Sequence, residues 1–158
     1  MPKLASSTSE ETSLEKVKRL GLIKTASPTE NDLPSMPIQM ALLTSAELSN
    51  TMSEFAAWRE YVESLYIESM MEHKKFATKF DYELAKRKLA VENEHKKSKT
   101  REYKALLIDT DGSIFADREM LDELSLYKEA LSIRLDSLTN SINVLSREIT
   151  RRQTTNER

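Results

Sequence analysis

Between positions 121 and 152 large apolar side chains recur at steps of three, four and seven: Leu121, Leu124, Leu131, Leu135, Leu138, Ile142, Leu145 and Ile149. That spacing belongs to an α-helix lying lengthwise on another helix, because only such a neighbour covers a stripe of period 3.5. The chain must supply that neighbour itself or find it in a second copy. Two glycines, a charged fraction of 32% and an aromatic fraction of 6% fit the same picture of long polar-faced rods with little deep core.

A candidate neighbour begins at Thr44, which with Glu47 three residues later has the form of a capping box. The stripe that follows is Leu48, Met52, Phe55, Val62, Tyr66, Phe76 and Phe80, broadened by Trp58, Tyr61 and Leu65. It thins to Leu84, Leu89 and Val91, and residues 92–102 carry no large apolar side chain at all. That stretch admits three readings: a helix solvated on every side, a break, or a contact surface for something charged. Tyr103, Leu106, Leu107 and Ile108 then resume the pattern.

The clearest turn signal is Asp109-Thr110-Asp111-Gly112-Ser113, with a glycine and three possible N-cap side chains. Part of it matches a calcium loop, but Leu107 and Arg118 stand where further ligands are required. The expected fold is all-α: a long antiparallel helical hairpin or coiled coil over 44–153, with helix 45–108, turn 109–113, helix 114–152 and a tail 154–158. Position n of the first helix would then face about 222 − n of the second. At 1.5 Å per residue the first helix, about 97 Å, outreaches the second, about 61 Å. The overhang holds the richest apolar face, so the expected state is oligomeric.

Residues 1–43 contain all four prolines and both Ser/Thr-rich runs, which predicts a flexible, extended N-terminal arm. One island within it reads as a short helix, 13–20: Thr12 and Glu15 form a capping box and Gly21 closes the turn. Its apolar residues Leu14, Val17, Leu20 and Leu22 either dock on a partner or pack on the chain's own helices, and the sequence favours neither.

Catalytic constellations are hard to assemble here. His73 and His95 are the only histidines and lack the i, i+4 partner of a helical metal site; there is no phosphate loop and no nucleophile elbow. The expectation is a non-enzyme with no catalytic residue, metal, cofactor or small-molecule substrate. Cysteine is absent and no apolar run approaches the ~20 residues that cross a bilayer, so a soluble cytoplasmic protein is expected, in the host cell cytoplasm if phage-encoded.

The net charge of −2 hides a block pattern. Residues 44–73 and 105–146 are acidic, whereas 74–104 carry eleven Lys/Arg against five Asp/Glu and the last twelve residues are again basic. Opposite blocks of this kind suit a hairpin whose exposed pairs contribute ~0–1 kcal/mol each and mainly select register. The basic surplus is largest at Lys96, Lys97, Lys99, Arg101 and Lys104, with a second group at Arg147, Arg151 and Arg152. These are candidate phosphate contacts, with Tyr82 or Tyr103 placed to stack on unpaired bases.

The layout resembles small bacteriophage recombination mediators of the UvsY type. It carries Trp58 and Tyr61 near the start of a first helix, a lysine-rich midsection, the acidic turn Asp109 to Asp111, and a basic last segment from Arg147 to Arg152. The resemblance covers about residues 44–152. It implies an oligomer that binds single-stranded DNA and helps load a recombinase onto strands covered by single-strand-binding protein. The expectation is thus a DNA-recombination or replication accessory; the alternative is a structural or assembly protein, such as a virion component or scaffold, with a docking arm.

Overall fold

The computed structural model describes residues 34–95 and 100–156, together with Glu15, Lys18, Arg19, Ser27 and Pro28. A single 3-10 turn at Met40–Leu42 leads into α1 (Ser45–Glu94), followed by α2 (Arg101–Asp109) and α3 (Gly112–Asn156). No strand occurs among the described residues. The all-α expectation holds, and α1 packs along α3.

The start of α1 is the capping box expected from Thr44 and Glu47. Thr44 Oγ1 accepts from the Glu47 N–H at 3.2 Å, and Glu47 Oε2 accepts from the Thr44 N–H at 2.7 Å. Two backbone donors that the helix itself cannot satisfy are thereby paired. The Thr44 hydrogen bonds also hold the Glu47 carboxyl below its ordinary range.

The seam is where the spacing places it. Leu48, Phe55 and Val62 of α1 form one buried cluster with Leu131, Leu138 and Leu145 of α3; Leu135, Ile142 and Ile149 pack at its margin. Leu121 and Leu124 are half-buried farther up α3, where Ile114, Phe80 and Val91 close the core.

The reversal is not where the turn signal lies. Two contacts across the hairpin fix its register: Arg59 Nε donates to Thr139 Oγ1 at 3.1 Å, and Arg87 Nε pairs with Asp111 Oδ2 at 2.7 Å. Position n therefore faces 198 − n, not 222 − n. The first helix is not continuous over 45–108; it stops at Glu94 with His95 as C-cap, and Thr100 starts α2. Lys104 then meets Glu92 and the Tyr103 ring meets His95 edge-on at 6.3 Å, in nearly the same register, so α2 already belongs to the returning arm. The seam supplies the reason: residues 92–102 bring no apolar side chain to hold a helix on a partner, so the chain turns back there.

The segment 109–113 is a short interruption between α2 and α3. Asp111 Oδ1 accepts from the N–H groups of Ser113, 3.0 Å, and Ile114, 3.4 Å, as an N-cap does. Gly112 is already the first helical residue, and a Cβ there would meet nothing within 4 Å, so no unusual backbone angle demands it. Arg118, at the place of the missing calcium ligand, pairs with Asp109 at 3.4 Å. The second long helix also runs beyond the expected 114–152, from 112 to 156.

The first arm has 50 residues and the second 45, or 54 with α2 added, about 75 and 81 Å at 1.5 Å per residue, so the two are close to matched. The expected overhang disappears, because the last four turns of α3 cover the apolar start of α1. Met36, Met40 and Leu43, which the sequence assigns to the arm, pack against the core cluster.

Candidate functional site

Taken one by one, the candidate cations divide into those committed within the fold and those left on its surface. Lys104 is committed: its side chain is only 13% exposed and its ammonium sits 2.8 Å from Glu92 Oε1. Arg152 is committed more deeply. Its Nη1 donates to the Leu43 carbonyl, its Nη2 to the Met40 carbonyl at 2.7 Å, and its Nε to Glu148 Oε1 at 2.8 Å. The two carbonyl bonds tie the end of α3 to the segment ahead of α1, and the bond to Glu148 holds the guanidinium in place on α3.

Arg151 forms a two-pronged pair with the same carboxylate, Nε to Oε2 and Nη2 to Oε1, each at 2.8 Å. Hydrogen bonds from Arg151 and Arg152 hold the Glu148 carboxyl well below the carboxylate range, at about 2, and Glu148 in turn raises the Arg151 guanidinium. Glu148 is the residue that sequence reasoning missed. Its position three and four residues before two arginines was the available signal.

Arg101 and Arg147 remain exposed, with no ion-pair partner among the described residues. Arg101 is the first residue of α2, where the positive end of the helix dipole disfavours a cation, so it does not stabilise that helix end. Lys96, Lys97 and Lys99 lie outside the described residues. The structure does not bring the two basic groups together, since Gly112 and Arg147 are separated along α3 by about 53 Å.

Lower on α1, Arg87 is held by Asp111, and Lys86 stands 3.6 Å from Glu83. Ion pairs within one helix, such as Arg59–Glu63 and Lys86–Glu83, stand beside pairs that join the two arms, Arg87–Asp111 and Lys104–Glu92. Tyr82 is 66% exposed and Tyr103 40%.

The docking residues Leu14, Val17, Leu20 and Leu22 lie outside the described residues. Their neighbours Glu15, Lys18 and Arg19 are helical, and Lys18 forms an ion pair with Glu68 of α1. On the outward side of α3, away from the seam, Phe115, Leu126, Ile133 and Val144 are 40–66% exposed. No helix among the described residues is long and apolar enough to cross a membrane. No protein-family model matches this chain, and no curated protein or solved structure is significantly similar to it.

Proposed function

We propose that this protein is a non-catalytic assembly component, a helical hairpin that works by presenting its faces to other protein chains. The observation that carries this reading is the commitment of Lys104, Arg151 and Arg152 to Glu92, Glu148 and two backbone carbonyls. Phosphate contact by Arg152 or Lys104 would first have to break a hydrogen-bonded charge pair. The test is mass in solution at low salt, with and without a short single-stranded oligonucleotide. Assembly predicts a mass above one chain that the oligonucleotide leaves unchanged.

A second reading, a recombination accessory that binds single-stranded DNA and meets a recombinase or single-strand-binding protein, is favoured by Arg101 and Arg147, both exposed. On this reading they act with Lys96, Lys97 and Lys99, in the manner that the resemblance to UvsY-type mediators implies. Copies assembled side by side would then align weak patches and gain avidity. Mass that rises with the oligonucleotide, falls back with added salt, and fails to rise after charge reversal of Lys96, Lys97, Lys99 and Arg101 would select it over the first.

A further inference from the structure

We propose that two copies of this chain pair through the outward face of α3, antiparallel, about a twofold axis between Glu129 and Ala130. This rests on the assembly reading and names its first partner. At 100° per residue Phe115, Leu126, Ile133 and Val144 fall within about 20° of one another on α3, and about 140° from the Leu131–Leu138–Leu145 line that meets α1. They are 53%, 66%, 64% and 40% exposed. A helix with apolar stripes on two nearly opposite sides has two neighbours to satisfy, and α1 satisfies one.

The spacing of the second stripe identifies its occupant. From Phe115 the steps are 11, 7 and 11 residues, and from Val144 backwards they are the same. A stripe that reads identically in both directions is self-complementary under a twofold axis perpendicular to the helix, the symmetry of an isologous dimer. Phe115 then lies level with Val144 of the second copy, and Leu126 with its Ile133.

Charge selects the same orientation. Residues 112–129 carry five acidic and two basic side chains, and residues 130–147, which lie opposite them under this axis, carry two basic, Arg134 and Arg147, and one acidic. Antiparallel pairing sets the acidic half of each copy beside the basic half of the other; parallel pairing sets like beside like. The flanks agree, since Asp122 of one copy comes within one helical turn of Asn140 of the other, and Glu119 likewise of Ser137. At the axis itself the two copies of Glu129 meet, a like-charge contact that weakens the pair. The two copies of Ala130 meet on the other side of the axis.

The experiment measures mass against concentration for the full chain and four variants, and disulfide crosslinking for a fifth. Wild type is expected to form a dimer. Leu126→Glu and Ile133→Glu should each raise its dissociation constant by about 30-fold or more, the scale of a central interface residue. Leu89→Glu adds the same charge to an exposed apolar site on α1 and should leave the constant unchanged. Glu129→Gln should tighten the dimer severalfold. Because the chain contains no cysteine, Ala130→Cys reports the axis directly, and oxidation should give a covalent dimer in high yield.

A monomeric wild type overturns the proposal and removes self-assembly from the functional reading as well. A wild-type oligomer indifferent to both glutamate substitutions, with Ala130→Cys uncrosslinked, overturns the α3 face alone and leaves assembly through another surface standing. Retained helicity of each variant by circular dichroism separates loss of pairing from loss of fold.

Discussion

Replacing Leu138 by alanine tests the seam at its most enclosed point. The side chain is 1% exposed, between Leu131 at 9% and Leu145 at 0%, in one cluster with Phe55 and Val62. Fully buried Leu→Ala changes cost about 2–5 kcal/mol, the spread reflecting how far the surroundings close over the gap. Two helices in one layer can approach each other more readily than the walls of a globular core, which places the expected loss in the lower half, about 2–3 kcal/mol. At roughly 1–3 kcal/mol per molar of urea, the unfolding midpoint should fall by about 1 M. Trp58, the single tryptophan, packs against the same cluster and supplies the fluorescence signal. Leu89→Ala, at a residue 63% exposed, is the matched control and should shift stability by no more than about 0.5 kcal/mol. Equal losses for the two variants, or a larger one for Leu89, would refute the seam and the register built on it.

Arg152→Met keeps the aliphatic stem but releases the Met40 and Leu43 carbonyls, so limited proteolysis within 36–43 should accelerate roughly tenfold while the far end of the hairpin keeps its protection. The Glu148 carboxyl, held at about 2 in the fold, contributes stability that is complete above its ordinary range near 4.5 and is lost as pH falls through about 2. Titration by NMR should show that low value in the wild type and a normal one in the double variant Arg151→Gln, Arg152→Gln. Gly112→Ala has open space for its methyl group in a helical position and should stabilise the fold by about 0.4–1 kcal/mol, read as a higher melting temperature.

The elements legible in the sequence are those fixed by short-range pattern: the Thr44–Glu47 cap and the two stripes, whose residues sit where three- and four-residue spacing puts them. The reversal was not legible, and local electrostatics explains why. Glu92 and Glu94 stand at the C-terminal end of α1 and Arg101 at the N-terminal end of α2, each opposed to the helix dipole, so these charges argue for an uninterrupted helix. Asp109 to Ser113 meanwhile carries every local mark of a turn. Matching of two apolar stripes along their whole length outweighed both signals. For the candidate site, positions of the cations were readable but their engagement was not. Arg152 binds main-chain oxygens over a hundred positions away, and a backbone acceptor leaves no trace in the sequence.

Arg152, at the open end of the hairpin, decides how the molecule answers a pull. Tension applied between residue 40 and the end of α3 acts at right angles to the rods, so the load falls on one layer of contacts at a time, as in a zipper, and not on all layers together as in shear. The first link to carry that load is the guanidinium bridge to Met40 and Leu43. Once it parts, Leu48 and Ile149 are the next to separate, and rupture travels at low force toward the far end of the hairpin, where Glu92 meets Lys104.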